Sequence, residues 1–116
     1  MEVIFESRDP AGSHLRDLAE RRVRFVMRRM SWLIPRARVR LSDVANVHGP
    51  RGGEDKSCRL EIKTDHIGTV AVTTTAHDWR VALDHALARA SRVLLRNLKR
   101  THSYRGSRSP AIDFQS

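Results

Sequence analysis

The segment from residue 78 to residue 100 constrains the fold most, because it carries the longest helical periodicity in the chain. Apolar residues recur in it at spacings of three and four, which places them on one face of an amphipathic helix. The apolar face consists of Trp79, Ala82, Leu83, Ala86, Leu87, Ala90, Leu94 and Leu98. At 100° per residue, five cations fall within one arc of roughly 100° that is clear of the apolar centre. These cations are Arg89, Arg92, Arg96, Lys99 and Arg100. The pattern therefore predicts a helix that offers one face to a core and a basic flank to a negatively charged partner.

The charge balance points to the same kind of partner. The 116 residues include 22 lysines and arginines against 13 acidic residues, a formal net charge of +9. Since Lys56, Lys63 and Lys99 are the lysines, 22 less 3 leaves 19 arginines. Arginine presents a planar fork that binds phosphate at two points and stacks on bases. The composition favours contact with nucleic acid. The alternative is a basic surface that serves solubility, in a genome that favours arginine codons.

Length and composition limit the classes of protein. A chain of 116 residues predicts one domain with a modest core. There is no run of about 18 apolar residues, so we expect no membrane span, and the N-terminal sequence lacks the pattern of a secretory signal. Cys58 is the only cysteine, which excludes an internal disulfide and is typical of a cytoplasmic protein.

The N-terminal part predicts a strand followed by a first helix. Residues 2–6 alternate, with Val3 and Phe5 on one side. Residues 13–30 carry a helical apolar stripe, and Ser13 is the predicted N-cap. Five arginines lie outside the centre of that stripe: Arg21, Arg24 and Arg28 as an exposed ridge, and Arg22 and Arg29 at its margin. They form either part of a binding surface or an ordinary solvated helix face.

Three further strands are predicted before the long helix. Residues 36–44 and 56–65 alternate between apolar and polar side chains, and residues 69–75 are rich in β-branched residues. A hairpin turn is expected at residues 65–68. A capping-box-like pair, Thr75 and Asp78, is expected to begin the long helix.

These elements give the order β-α-β-β-β-α. The simplest packing is an α+β fold, a four-stranded sheet with two helices packed on one face. Both helices then lie on the same side of the sheet, so we expect their basic residues to line one groove between them. We expect a single domain over residues 1–102 and a flexible tail over residues 103–116, which are rich in Ser, Gly and Pro.

The sequence carries no pattern typical of catalysis. The six histidines are scattered, none stands at i,i+4 with another, and there is no cysteine pair. We therefore expect no metal, no cofactor, no small-molecule substrate and no enzymatic activity. A glycine-rich loop at residues 45–55 contains Arg51 and is either a phosphate cradle or a mobile turn.

An apolar set on the solvent side of the long helix stays unassigned. Val81, Ala88 and Leu95 recur every seven residues there. They either pack against the first helix, form a subunit contact, or are residues that a surface helix tolerates.

Several motifs resemble the ribosome hibernation-promoting factor family. Leu15-Arg16-Asp17 opens the first helix in a way similar to that family. Residues 39–44, VRLSDV, and residues 48–58, HGPRGGEDKSC, are similar to a proteobacterial subgroup. Residues 78–84, DWRVALD, resemble the family's start of the last helix. The similarity covers residues 1–102 and is most specific in the order and spacing of the motifs.

The resemblance implies a fold and a function. Members of the family bind the small ribosomal subunit in the channel used by mRNA and tRNA, and silence ribosomes in stationary phase or stress. Some promote ribosome dimers, and long forms carry a further C-terminal dimerisation domain, so this chain is expected to be a short form. The expected partner is small-subunit rRNA, and the expected contacts lie on the helices, at Arg21, Arg22, Arg24, Arg28, Arg29, Arg89, Arg92, Arg96, Lys99 and Arg100.

Two other functions stay open at this point. One is a homomeric interaction module, for which Val81, Ala88 and Leu95 provide an apolar edge. The other is a protein that binds structured RNA without silencing ribosomes. The oligomeric state is also open, a weak homodimer included.

Overall fold

The computed structural model describes residues 1–44 and 55–107, with side chains described as far as residue 100. Four strands, two α-helices and two 3₁₀ helices make up this part of the chain. The elements are β1 (Glu2–Ser7), a 3₁₀ helix (Pro10–Leu15), α1 (Arg16–Val26), a 3₁₀ helix (Arg28–Leu33), β2 (Arg36–Asp43), β3 (Lys56–Lys63), β4 (Thr69–Ala76) and α2 (Trp79–Ser107). The predicted order and the α+β class are confirmed.

The four strands form one mixed sheet in the order β1-β2-β3-β4. β1 pairs with β2 in parallel, Val3 opposite Ala37 and Phe5 opposite Val39. The other neighbours are antiparallel. A parallel pair needs a long crossover between its strands, and α1 with its flanking 3₁₀ helices provides it.

One face of the sheet packs against the two helices and forms the core. The alternating residues Ala37, Val39 and Leu41 of β2 are buried, as the period of two predicts. They pack with the buried stripes of α1 and α2, which include Val23 and Leu94, each fully excluded from solvent. α1 contacts β1, and α2 contacts β3 and β4. The prediction that both helices cover one face is therefore confirmed.

The first helix is shorter than predicted, because both of its ends are 3₁₀ turns. With three residues per turn, a 3₁₀ helix places residues i and i+3 on the same side. Gly12 and Leu15 are buried in the first turn, and Met30 and Leu33 in the second. The prediction of a continuous helix with Ser13 as its N-cap is wrong.

The cap of that first turn is Asp9. Its Oδ1 accepts a hydrogen bond of 2.9 Å from the Ala11 amide, and Pro10 follows it at the start of the turn. The Ser13 hydroxyl instead donates to the Pro10 carbonyl at 2.8 Å. The α-helical part begins after Leu15, without a side-chain cap.

The long helix α2 begins at Trp79, and Asp78 alone caps it. Asp78 Oδ1 accepts from the Arg80 amide at 2.7 Å, whereas Thr75, the predicted partner, lies inside β4. The Trp79 indole donates to the Ser42 carbonyl at 2.9 Å, which ties the start of the helix to β2. Helix α2 continues to Ser107 and so passes the predicted domain end at residue 102. Most of the predicted tail, residues 108–116, and most of the glycine-rich loop, residues 45–54, lie outside the described residues.

The predicted hairpin turn between β3 and β4 is confirmed. Gly68 adopts a φ of 83°, a conformation that glycine reaches without strain. The Thr64 hydroxyl donates to the Gly68 carbonyl and accepts from the Ile67 amide, which closes the turn.

Candidate nucleic-acid interface

The basic flank of α2 consists of Arg89, Arg92, Arg96, Lys99 and Arg100, and all five are exposed. Among the residues that the structure describes, none of these side chains takes part in an ion pair or a side-chain hydrogen bond. Five cations on one helix, without described acidic neighbours, produce a positive potential that mobile counterions must balance. An anionic ligand can replace those counterions, and their release into solution then favours binding.

Two arginines of β2 on the open face of the sheet, in contrast, take part in ion pairs. Arg36 forms an ion pair with Glu2 at 3.3 Å, and Arg40 forms one with Glu6 at 3.1 Å. The parallel register places each glutamate directly opposite its arginine, so the two strands neutralise each other. Cross-strand pairing thus accounts for two of the alternating arginines in this strand, Arg36 and Arg40.

The same holds further along the open face. Arg59 forms an ion pair with Glu61 at 3.0 Å and donates to the Thr73 hydroxyl at 3.2 Å. Three arginines of the sheet face, Arg36, Arg40 and Arg59, therefore have acidic partners, whereas within the described ranges Arg38 does not and its buried Nε lacks a hydrogen-bond partner. The five cations of the α2 flank lack ion pairs among the described residues. The α2 flank is therefore a candidate surface for an anionic ligand.

Two arginines of α1 also take part in ion pairs. Arg22 of α1 forms a 2.5 Å ion pair with Asp84 of α2. Arg24 pairs with Glu20 at 3.1 Å and donates to the Met1 carbonyl at 2.9 Å. These two guanidinium groups already have acceptors, so they hold the helices in place and are less available to RNA.

The other three arginines predicted in the first helix are exposed, Arg21 in α1 and Arg28 and Arg29 in the 3₁₀ helix that follows it. Arg28 lies over the Phe25 ring, 4.3 Å from its centroid, and donates to the Phe25 carbonyl. Arg21 and Arg29 are exposed and have no ion pair within the described ranges. The cations of this region without an ion pair to a described residue are therefore Arg21 of α1 and Arg29 of the second 3₁₀ helix, while Arg28 lies over an aromatic ring.

The predicted cations line two surfaces, so they do not share the single groove that the sequence led us to expect. The side of α2 that carries Asp84 faces α1, since Asp84 pairs with Arg22. Arg89, five residues on, lies about 140° around the helix axis from Asp84. Most of the basic flank therefore faces away from α1.

Each surface has its own depression. The groove between α1 and α2 has a volume of about 510 Å³, and it is lined by Leu18, Arg21, Arg22, Phe25, Val26 and Asp84. A second cleft of about 400 Å³ lies between β4 and α2, and it is lined by Thr73, Thr74, Thr75, His85, Ala88, Arg89 and Arg92. The β4 threonines beside the basic flank did not emerge from the sequence, because a linear pattern does not tell which strand lies at the edge of a sheet.

Among the described residues, Lys56 and Cys58 have pKa values that differ from the ordinary ones. Lys56 bonds Asp43 at 2.8 Å; this hydrogen bond raises the pKa of the ammonium, against desolvation that lowers it. Burial raises the pKa of the Cys58 thiol to about 12, so the sulfur stays protonated and unreactive. In the described part of the chain, no group of three or more His, Cys, Asp or Glu residues is placed to hold a metal ion. No helix there is both long and apolar enough to cross a bilayer.

Sequence comparison found no matching family model and no matching curated protein. Comparison of structures did find similar chains. One is a ribosomal subunit interface protein from Coxiella burnetii, with a TM-score of 0.62 and 14% identity, covering 83% of this chain and 96% of that one. Another is the N-terminal domain of Thermus thermophilus Protein Y, with a TM-score of 0.60 and 21% identity, covering 83% of this chain and 98% of that one. At these identities the likeness shows a shared fold, and the resemblance that the motifs indicated is confirmed at that level.

Proposed function

We propose that this protein is a cytoplasmic, ribosome-associated translation inhibitor that acts as a hibernation factor. It binds rRNA of the small subunit and blocks the channel for mRNA and tRNA in stationary phase or stress. It acts without a cofactor and without turnover. The likeness to a ribosomal subunit interface protein supports the ribosome as the partner.

The observation that carries the proposal is the absence of described acidic partners along the α2 flank. On the open face of the sheet, by contrast, Arg36 and Arg40 are neutralised by Glu2 and Glu6. A row of unneutralised cations is costly to a folded protein through mutual repulsion, and a polyphosphate ligand removes that cost. The proposed contact set is led by Arg89, Arg92, Arg96, Lys99 and Arg100, to which α1 and the 3₁₀ helix after it add Arg21, Arg28 and Arg29.

The mechanism is steric. Phosphate contacts orient a protein on RNA without reading bases, which suits the fixed shape of an rRNA channel. The sheet behind the helices is a rigid support, because its buried face is continuous with both helices. A domain held there by its α2 flank occupies space that mRNA or tRNA needs.

The test is co-sedimentation of purified protein with ribosomes and with separated subunits. Wild-type protein should sediment with small subunits and whole ribosomes, and binding should fall steeply as salt rises. In Arg92→Gln/Arg96→Gln the slope of the logarithm of the binding constant against the logarithm of salt concentration should become shallower by about two phosphate contacts. Binding at moderate salt should fall at least about tenfold. If this variant sediments like wild type, the assigned flank is wrong.

A matched control comes from the open face of the sheet. Arg36→Gln/Arg40→Gln removes the same two charges from arginines that already pair with glutamates. It should retain most of the ribosome binding, since those groups do not face the ligand. Equal loss in both variants would indicate a generic dependence on net charge.

The alternatives give different results in the same experiment. A protein that binds structured RNA in general would be displaced from ribosomes by an unrelated duplex RNA at equal mass. A homomeric module would show no ribosome peak and a self-association that salt does not weaken. Toeprinting on initiation complexes then tests occlusion itself, which requires that bound protein prevents tRNA placement.

A further inference from the structure

β4 is an open edge of the sheet. It pairs with β3 over eight consecutive residues, from Thr69 to Ala76, and stands last in the strand order. Within the described residues, no strand pairs with its outer side. Natural sheets protect such edges with charged residues, proline or bulges. The sequence of β4, TVAVTTTA, has no charge and no proline, and its register with β3 is uninterrupted.

The space beside this edge is a shaped cleft. Thr73, Thr74 and Thr75 border it on the sheet side, and α2 overhangs it with Ala88, Arg89 and Arg92. An added strand would lie about 4.8 Å from β4, beneath the helix. The methyl side chain of Ala88 leaves room there, so the cleft can admit extended backbone.

The positive charge beside the cleft favours an acidic ligand. Arg89 and Arg92 are exposed, and neither has an ion pair within the part of the chain that the structure describes. Residues three apart on a helix have Cβ atoms about 5–6 Å apart. Alternate residues of a strand lie about 6.6 Å apart on one face. Two acidic side chains at alternate positions of an added strand would therefore meet both guanidinium groups.

We propose that the outer edge of β4 binds an extended acidic peptide segment of a partner protein as a fifth strand. Backbone hydrogen bonds to β4 would supply the pairing, and carboxylates facing α2 would supply the selection. RNA fits this edge less well, because phosphates accept hydrogen bonds but do not donate to the strand's carbonyls. A second copy fits less well too, since pairing β4 with β4 would oppose Arg89 and Arg92 to their own copies.

The proposal does not depend on ribosome binding, although both use Arg89 and Arg92. If the protein binds both ligands, an acidic partner and rRNA compete for this end of the α2 flank. A protein that carries such a segment would then release the domain from RNA. The edge itself can be tested in the absence of any RNA.

The probe is the capped peptide Thr-Glu-Val-Glu-Thr-Glu-Val-Thr, titrated into the full ¹⁵N-labelled chain. We expect the largest amide shifts at residues 69–76, slower hydrogen exchange of β4 amides, and weakening with salt. Replacing each Glu of the peptide by Lys should weaken binding at least about tenfold. A fully N-methylated peptide of the same sequence keeps the carboxylates but cannot pair, and it should not protect β4.

Protein variants complete the test. Arg89→Ser/Arg92→Ser should weaken peptide binding about tenfold, whereas Arg36→Ser/Arg40→Ser, on the open face of the sheet, should leave it unchanged. Shifts outside β4, or equal binding of the Lys or N-methylated peptides, would overturn the proposal. Protection of β4 by an oligouridylate would assign the edge to nucleic acid, and protection in a peptide-free dimer would assign it to a second copy. Either result would also overturn it.

Discussion

Arg22 of α1 and Asp84 of α2 form an ion pair of 2.5 Å between residues 62 positions apart in the chain. Both side chains keep part of their exposure, 36% for Arg22 and 51% for Asp84, so the pair contributes at most about 1 kcal/mol. Its larger effect is on the charge of the groove between the helices. Asp84 neutralises one arginine and places a carboxylate beside Arg21, in a groove that otherwise favours anions.

Replacing Asp84 should therefore move stability and RNA binding in opposite directions. In Asp84→Asn the ion pair is lost, and the free energy of unfolding should fall by up to about 1 kcal/mol. The same change frees the Arg22 guanidinium, so ribosome association should tighten. The salt dependence of the binding constant should become steeper by about one phosphate contact. Urea unfolding and co-sedimentation at several salt concentrations measure the two effects.

Asp65→Asn is the matched control for that variant. Asp65 lies exposed in the turn between β3 and β4 and adds the same unit of net charge when it is replaced. It should leave the salt dependence of ribosome association close to that of wild type. If both variants tighten association equally, total charge decides binding, and the groove has no special role.

Arg24 of α1 and Arg29 of the 3₁₀ helix that follows it should differ in function, although both are exposed. Arg24 has acceptors in Glu20 and the Met1 carbonyl, whereas Arg29 has no ion pair within the described ranges. Arg24→Gln should cost about 0.5 kcal/mol of stability and change ribosome association little. Arg29→Gln should leave stability unchanged and weaken association several-fold. The reverse result in thermal melts and sedimentation would mean that pairing in the free protein does not decide which arginines bind.

The core was predictable because periodicity records which side of an element is buried. The alternation of Ala37, Val39 and Leu41 gave the buried face of β2, and the three-four spacing of α2 gave its contact with the sheet. Each of these patterns depends only on geometry within one element. The 3₁₀ ends of the first helix were missed because Leu15 and Met30, which are buried in those ends, also fit the α-helical stripe.

The candidate site was predictable only as a set of residues. A helical projection gives angles around one axis, and it does not tell which neighbour lies at each angle. Asp84 identifies the side of α2 that faces α1, and this contact separates Arg89 from the groove. The partners of Arg24, one of them the Met1 carbonyl, likewise depend on tertiary contacts that a linear sequence does not specify.

Cys58 should make stability fall at alkaline pH. Burial raises the pKa of its thiol from 9.0 to about 12, so the folded state holds the proton more tightly than the unfolded state does. The stabilisation is complete below pH 9 and is lost as pH rises from 9 to 12, at up to about 1.4 kcal/mol per pH unit. In Cys58→Ala this component should vanish, although the variant starts from a lower stability because it leaves a cavity.

The measurement is urea unfolding between pH 7 and pH 11, with the difference between wild type and Cys58→Ala isolating the thiol. A thiol reagent at pH 8 gives a second readout. It should label wild-type protein only as fast as the protein opens, since Cys58 has no solvent exposure. Rapid labelling of the native protein, or parallel pH profiles of the two proteins, would show that the thiol is accessible.

The apolar edge of α2 should not make the protein a dimer. Val81 and Leu95 are 43% and 44% exposed, and they lie about 21 Å apart along the helix. Two half-exposed side chains offer far less than the roughly 1,200–2,000 Å² that a stable interface buries. Val81→Ser/Leu95→Ser should therefore leave both the molar mass at micromolar concentration and the ribosome association unchanged, as sedimentation velocity and co-sedimentation would measure. A wild-type dimer that this variant dissociates, together with the absence of a ribosome peak for the wild-type protein, would instead favour a homomeric interaction module.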